Sequence, residues 1–222
     1  MLKTSEIGER NEKKETYWSR FAEDFEKRQS FVAGEEMICL VKEELQKEEK
    51  LGHVLELGCG TGLYTEVLKD NSEFVLATDF SDEMIEASKK LRGGYQNVKF
   101  LKADAMNLNF DEESFDTIVM INLIHVISDP ERVINESSRV LKSGGKILIA
   151  SFALDEMNLL NKIRTGNRYL RTFGRPPSEA SKSKNTRIKV ETMLNDSGFS
   201  HIKSKVLGDK MRSIYVTGEK IS

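Results

Sequence analysis

The sequence has only two cysteines, Cys39 and Cys59, among its 222 residues. Two thiols cannot supply a disulfide framework or a four-cysteine zinc site. Because proteins without disulfides are typical of reducing compartments, we expect a cytoplasmic protein. We predict no metal site.

The sequence also lacks an excess of positive charge. It has 34 Lys+Arg against 36 Asp+Glu, which gives a formal net charge of -2. A protein dedicated to nucleic acids would usually be strongly basic, so we expect no nucleic-acid partner. No run of about 18 apolar residues occurs, so no membrane span is predicted. The first 15 residues lack the apolar segment of a secretory signal.

Short apolar runs predict a set of buried β-strands. Runs of four to six aliphatic and β-branched residues are typical of strands that are covered on both faces. Five of them lie at 53–57, 74–78, 98–101, 116–121 and 146–150. Two more strands are predicted at 199–207 and 213–217, after a helix that ends near Gly198.

Helix signals separate these strands. Ser81 is a predicted N-cap, and Asp129 is another, with Pro130 at the first helical position. We expect the second helix to run to Lys142 and to stop at Ser143-Gly144-Gly145. Alternating strands and helices with right-handed crossovers predict an α/β, doubly wound parallel sheet.

A glycine-rich loop, Glu56-Leu57-Gly58-Cys59-Gly60-Thr61-Gly62, follows the first strand. Glycines allow a tight turn and a close approach of the backbone to a ligand. The next segment, LYTEVLKD, predicts a helix whose first N–H groups are free to bind. A dinucleotide fingerprint would need glycine at position 63, which is Leu63, so a dehydrogenase is disfavoured.

Polar residues follow three successive strands. Asp79 ends the second strand, Asp104 follows the third, and Asn122 follows the fourth. Ligands of open α/β sheets bind outside the carboxyl ends of the strands, where a carboxylate can accept hydrogen bonds from ribose hydroxyls. The three positions therefore indicate a nucleoside-binding edge.

Together these segments resemble the class I S-adenosylmethionine-dependent methyltransferases of the small-molecule, type 11-like family. The segments are VLELGCGTG, ATDFSDEMIEASKK, KADAMNLNF, FDTIVMINLIHVISD and RVLKSGGKILIAS. The resemblance implies S-adenosyl-L-methionine as cofactor. It also implies a Rossmann-like seven-stranded sheet of order 3-2-1-4-5-7-6, with the last strand antiparallel and an N-terminal helical cap.

The resemblance also implies roles for individual residues. On the methionine side, the glycines would lie against the cofactor, Glu56 would order the loop, and the Asn122 carbonyl would face the cofactor's amino group. On the adenosine side, Asp79 would bind ribose, aromatic and thioether groups would flank adenine, and Asp104 with the Ala105 N–H would bind its edge. The predicted set is Glu56, Gly58, Cys59, Gly60, Gly62, Asp79, Phe80, Met84, Asp104, Ala105 and Asn122.

Methyl transfer is an in-line displacement, and the enzyme contributes mainly by orienting the two reactants. A general base is needed only when the acceptor is protonated. His125 is the main candidate, because it follows the fourth strand at the expected cleft. Tyr17 is a second candidate that would enter from the N-terminal helices.

We interpret the chain as one methyltransferase domain, residues 1–222, with four parts. Residues 1–50 form a helical cap, on two apolar stripes around Tyr17–Phe25 and Met37–Leu45. Residues 51–151 form the cofactor core, 152–187 a basic insertion, and 188–222 a C-terminal helix and strand pair. Residues 152–190 contain nine Lys/Arg but only three acids. This positive charge predicts either a lid that suits an anionic small-molecule acceptor or a solvated helix pair.

Other functions remain open at this point. A nucleic-acid base methyltransferase usually carries an N-P-P-aromatic motif after the fourth strand, whereas this chain reads INLIHV at 121–126. A protein methyltransferase and a non-catalytic S-adenosylmethionine-binding protein are further alternatives. The acceptor atom and the oligomeric state cannot be read from the sequence.

Overall fold

The computed structural model describes residues 17–175 and 186–221. Seven strands form one sheet of order β3-β2-β1-β4-β5-β7-β6, which confirms the expected topology. The pairs from β3 to β5 are parallel, and β7 is antiparallel to both β5 and β6. The strands are β1 (His53–Leu57), β2 (Phe74–Asp79), β3 (Val98–Lys102), β4 (Phe115–Ile121), β5 (Leu141–Phe152), β6 (Phe199–Leu207) and β7 (Ser213–Lys220).

Helices cover the two faces of this sheet. They are α1 (Phe25–Ala33), α2 (Glu35–Lys47), α3 (Thr65–Leu68), α4 (Asp82–Arg92), α5 (Pro130–Val140), α6 (Leu159–Phe173) and α7 (Arg187–Asp196). Both predicted caps are present: the Ser81 side chain accepts from the Met84 N–H at 3.2 Å, and that of Asp129 accepts from the Arg132 N–H at 3.0 Å. These caps satisfy N–H groups that have no partner within the helix.

The core has two layers because neighbouring residues of a strand point to opposite faces. Ile118 of β4 packs in one apolar cluster and Val119 in the other, and both are fully buried. The stripe of α2 that the sequence predicted joins the second cluster through Met37 and Leu45. The central strands are therefore covered on both sides, as their apolar runs indicated.

Three local predictions were wrong. Helix α5 ends at Val140 rather than at 142, because Leu141 already pairs with Phe115 at the start of β5. The helix behind the glycine loop has only one turn, α3, and continues as a 3₁₀ turn at Lys69–Asn71. The first aromatic stripe is not one helix, since a 3₁₀ turn at Ala22–Asp24 precedes α1.

Two further findings concern the described residues alone. No helix in 17–175 or 186–221 is long and apolar enough to cross a membrane. Within the same ranges no group of three or more His, Cys, Asp or Glu side chains is arranged to hold a metal ion. Residues 176–185, which belong to the predicted basic insertion, lie outside the described part of the chain.

Candidate active site

A cavity opens at the carboxyl ends of β1, β2 and β4. Its floor is the glycine loop with the residues that end these strands, and we call residues 58–61, 79–81 and 122 the cavity floor. An aromatic cover closes the other side; it comprises Tyr17, Trp18, Phe21, Phe25, Tyr169 and Phe173. The cavity thus lies where the sequence places the ligand.

The glycine loop depends on left-handed backbone geometry. Gly58 has φ +71° and Gly60 has φ +54°, which L side chains rarely adopt. A Cβ on Gly58 would lie 2.7 Å from Cδ1 of Leu123, so no side chain fits there without displacing Leu123. The Cys59 N–H donates to the Thr78 carbonyl at 2.9 Å, which holds the loop against β2.

Asp79 fixes the loop from the neighbouring strand. One of its carboxylate oxygens accepts from the Gly60 N–H at 2.9 Å, and the other accepts from the Ser81 N–H at 2.9 Å. Burial raises the pKa of Asp79, while these backbone N–H groups oppose the rise. The half-buried carboxylate borders the cavity.

Glu56 lies beneath the floor and does not line the cavity. Its side chain is 1% exposed and accepts from the Thr65 hydroxyl at 2.5 Å. Burial raises the pKa of Glu56 to about 7, and the Asp79 charge adds to this rise. A contact between Glu56 and a ligand in the cavity is therefore not supported, although an ordering role beneath the loop stays a prediction.

Gly62 does not border the cavity either, contrary to the expected contact with the cofactor. Its φ is +88°, and a Cβ there would lie 3.0 Å from Cδ of Arg92 and 3.2 Å from Cε1 of Phe100. Gly62 therefore makes room for packing behind the loop. The sequence could not distinguish this glycine from the other two, because all three share one motif.

The remaining predicted cofactor residues do line the cavity. They are Gly58, Cys59, Gly60, Asp79, Phe80, Met84, Asp104, Ala105 and Asn122. The Asp104 carboxylate accepts from the Met106 N–H at 2.9 Å, which shapes the turn after β3. Asn122 has φ +57°, a conformation that asparagine tolerates better than most residues, and its N–H donates to the Ala150 carbonyl at 2.8 Å.

An ion pair between distant segments joins α1 to the glycine loop. Arg92 donates from Nη1 to Glu26 at 2.6 Å and to the Thr61 carbonyl at 3.0 Å. The Thr61 hydroxyl also donates to Glu26, at 2.9 Å. Sequence reasoning missed Glu26 and Arg92, because no local pattern marks a pair separated by 66 positions.

His125 lines the cavity as predicted. Its Nδ1 is 2.9 Å from the Ser151 hydroxyl, and its ring centroid is 5.2 Å from that of Phe152. Burial lowers the pKa of His125 from 6.5 to about 4. The imidazole is therefore neutral near pH 7 and free to accept a proton, but it is a weak base.

Tyr17 is placed differently from the prediction. Its hydroxyl donates to the Phe173 carbonyl at 3.2 Å and shares a hydrogen bond with the Tyr169 hydroxyl, also at 3.2 Å. It lies inside the aromatic cover and does not line the cavity, whereas its neighbour Trp18 does. The apolar stripe revealed both residues, but only the tertiary packing decides which one faces the ligand.

The predicted basic lid has the right position but not the expected chemistry. Helix α6 lies against α1, and it contributes Tyr169 and Phe173 to the cavity. Among the described residues that line the cavity, none is Lys or Arg. The cationic side chains of α6 are exposed to solvent instead. The described part of the insertion, 152–175 and 186–187, therefore does not support recognition of an anionic acceptor.

Residues 55–149 match the methyltransferase domain family. The chain is similar to a demethylmenaquinone methyltransferase from Clavibacter sepedonicus, with 34% identity over 109 residues that cover 49% of this chain and 44% of the relative. A phosphatidylethanolamine N-methyltransferase from Cereibacter sphaeroides is 39% identical over 127 residues, which cover 55% of this chain and 62% of the relative. The chain spans about half the length of these curated relatives. A solved SAM-dependent methyltransferase from Thermotoga maritima shares the fold, with a TM-score of 0.72 and 21% identity over 92% of this chain and 98% of that one.

Proposed function

We propose that this chain is a class I S-adenosylmethionine-dependent methyltransferase that transfers a methyl group from this cofactor to a small-molecule acceptor, a proposal supported by the match of residues 55–149 to the methyltransferase domain family. The observation that supports this most is the cavity itself. It brings together the glycine loop, Asp79, Asp104 and Asn122 on one side and an aromatic wall on the other. These are the positions at which the family resemblance implies cofactor contacts.

The cavity floor would hold the cofactor. The Asp79 carboxylate has its two backbone N–H partners and could still accept hydrogen bonds from ribose hydroxyls. Phe80 and Met84 would flank the adenine, and Asp104 with Ala105 would meet its edge. Gly58 and Gly60 would let the backbone approach the methionine part, next to Asn122.

The acceptor would lie under the aromatic cover. That part of the cavity is lined by five aromatic side chains: Trp18, Phe25, Phe152, Tyr169 and Phe173. Such a lining favours an apolar or ring-containing acceptor. An anionic acceptor, which the basic insertion suggested, finds no cationic side chain among the described lining residues. The names of the two relatives above specify demethylmenaquinone and phosphatidylethanolamine, and these acceptors agree with an apolar cavity.

The bound cofactor supplies an electrophilic methyl group on a sulfonium centre. The protein's own contribution is orientation and the exclusion of water by the aromatic cover. The Ser151 hydroxyl positions the His125 ring at the cavity wall. Since the pKa of His125 is lowered to about 4, this residue would act mainly by accepting a hydrogen bond from an acceptor group.

The proposal includes a reducing, cytoplasmic compartment, because both cysteines are free thiols. It also keeps the division of the chain into a cap, a cofactor core, an insertion and a C-terminal strand pair. The oligomeric state stays open.

Calorimetric titration with S-adenosylmethionine, and separately with NADH, tests the cofactor. We expect micromolar binding of the first and none of the second. A methylation assay with apolar phenols, quinols and amines then tests the reaction. Binding without turnover on this panel would favour a non-catalytic binding protein, and no binding of S-adenosylmethionine would contradict the proposal.

A further inference from the structure

Helix α6 has an outer face that is apolar although it faces solvent. Leu159, Leu160, Ile163 and Leu170 are 71%, 80%, 53% and 50% exposed. At 3.6 residues per turn they fall within about 100° of arc on one side of the helix, and Tyr169 and Phe173, which line the cavity, lie beside this arc, about 80° to 120° from its centre. Surface leucines are normally scattered singly, so four exposed apolar side chains on one side of a single helix indicate a binding surface.

The same helix is strongly basic. Its fifteen residues include Lys162, Arg164, Arg168 and Arg171, with no Asp or Glu. Helical geometry places the three arginines along one flank of the apolar stripe and Lys162 along the other. All four side chains are exposed. The positive charge is local, because the whole chain has a net charge of -2.

The neighbouring helix extends this surface. Phe31 of α1 is 56% exposed, and the Arg168 guanidinium lies 5.7 Å above its ring centroid. We call the group Phe31, Leu159, Leu160, Ile163 and Leu170, with its four flanking cations, the α6 docking face. It combines a narrow apolar stripe with cations on both sides.

We propose that the α6 docking face binds the surface of an anionic phospholipid bilayer, with α6 lying in the plane of the interface. Apolar side chains of such a helix insert between the acyl chains, while Lys and Arg stay at the level of the phosphates. The cations on both flanks match a negatively charged lipid surface, and each adds to the attraction. Because cations flank the apolar residues on both sides, the surface suits an anionic bilayer better than an uncharged apolar partner.

A bilayer at this face would lie directly against the cover of the cavity. The inner side of α6 lines the cavity through Tyr169 and Phe173, so an apolar acceptor could pass from the lipid to the cavity over a short path. This consequence rests on the proposed function. Binding of the bilayer itself does not depend on the proposed function. It can be measured without cofactor or acceptor.

Sedimentation with vesicles tests the proposal. The full chain is mixed with vesicles of pure phosphatidylcholine, or of phosphatidylcholine and phosphatidylglycerol in equal parts. We expect binding to the mixed vesicles and at least roughly tenfold weaker binding to the neutral ones. Replacing Leu159, Leu160 and Ile163 together by Ser should weaken binding to the mixed vesicles by at least roughly tenfold. The double change Arg164→Gln and Arg171→Gln should weaken it and reduce the preference for phosphatidylglycerol.

Matched controls use another helix. Leu91 of α4 is 59% exposed, so Leu91→Ser removes a comparable surface leucine. Lys89→Gln with Lys90→Gln removes two exposed charges of α4. We expect both control variants to bind vesicles like the unaltered chain. Calorimetry with S-adenosylmethionine on every variant separates this proposal from the proposed function, because the docking changes should leave cofactor affinity intact.

The proposal is overturned if the unaltered chain binds neither vesicle, or if the triple Ser variant binds as well as its control. It is also overturned if sedimentation velocity shows that the unaltered chain dimerises through this face, with the triple variant monomeric and no vesicle binding. Failure to bind S-adenosylmethionine would contradict the proposed function and leave the result with vesicles standing.

Discussion

The cavity floor and the aromatic cover are built on different principles. In the floor, backbone groups make the key contacts, and Asp79 holds two of them through hydrogen bonds of 2.9 Å. In the cover, six aromatic side chains pack in edge-to-face and tilted contacts, for example Phe21 edge to face on Phe173 at 5.1 Å between ring centroids. A floor of this kind tolerates few substitutions, whereas a cover of packed side chains can change with the acceptor. The match to the methyltransferase domain family, residues 55–149, contains the floor and none of the cover.

The first prediction, with the largest effect, breaks the floor at its carboxylate. Asp79→Ala should weaken S-adenosylmethionine binding by about a hundredfold or more, because it removes a charged acceptor and frees the Gly60 and Ser81 N–H groups. Calorimetry measures the affinity, and circular dichroism checks that the variant is folded. Asp70→Ala is the matched control, since that side chain is 65% exposed. Unchanged affinity in Asp79→Ala would contradict the ribose assignment.

A second prediction concerns the acid beneath the floor. The pKa of Glu56 is raised from 4.5 to about 7, so between these values the folded state binds more protons than the unfolded state. The contribution of Glu56 to the free energy of unfolding is therefore highest below pH 4.5. It falls by about 3 kcal/mol as the pH rises to about 7, and then levels off.

Urea unfolding of Glu56→Gln across this interval measures the effect. In the variant, most of this decrease in the free energy of unfolding with rising pH should be absent, since glutamine does not titrate. Glu73→Gln changes an exposed acid and should retain the full pH dependence. Parallel pH profiles for Glu56→Gln and the unaltered chain would show that burial of Glu56 does not govern this slope.

A third prediction compares a glycine behind the floor with a glycine of α6, the helix that supplies Tyr169 and Phe173 to the cover. Gly62→Ala should lower the free energy of unfolding by about 2 kcal/mol, because φ is +88° and the new Cβ would lie 3.0 Å from Arg92. Gly166→Ala in α6 meets nothing within 4 Å and should raise it by about 0.5 to 1 kcal/mol. Thermal or urea unfolding of the two variants shows whether the free energy of unfolding falls or rises in each. Equal changes in the free energy of unfolding of the two variants would contradict this contrast between the two glycines.

The smallest expected effect concerns His125, which lines the cavity outside both the floor and the cover. His125→Asn should lower turnover by no more than about tenfold, because a base of such low pKa contributes little to proton removal. The pH profile of the unaltered enzyme should show no inflection near 6.5, the ordinary imidazole value. His201→Asn, on the exposed part of β6, is the control. A loss of several hundredfold, or an inflection near 6.5, would assign His125 the role of a full general base.

Much of the floor was predictable from local sequence. Apolar runs located the strand ends within three residues, except that β5 begins at Leu141 rather than at 146, because strands buried on both faces need uninterrupted apolar side chains. The glycine loop and Asp79 were recognisable since positive φ angles and strand-end carboxylates demand particular residue types. The sequence did not reveal that Gly62 packs against Arg92 and Phe100 rather than lining the cavity, because a glycine required for packing looks the same as one required for a ligand.

The sequence by itself determined the order of strands and helices, the loop at Gly58, and the match of residues 55–149 to the methyltransferase domain family. Tertiary structure alone decided that Trp18 rather than Tyr17 lines the cavity, that Glu26 meets Arg92, and that the leucines of α6 face outward. The first set follows from spacing and backbone conformation, which act over a few residues. The second set depends on which distant side chains meet when helices pack, and that is settled only by the whole arrangement of the core.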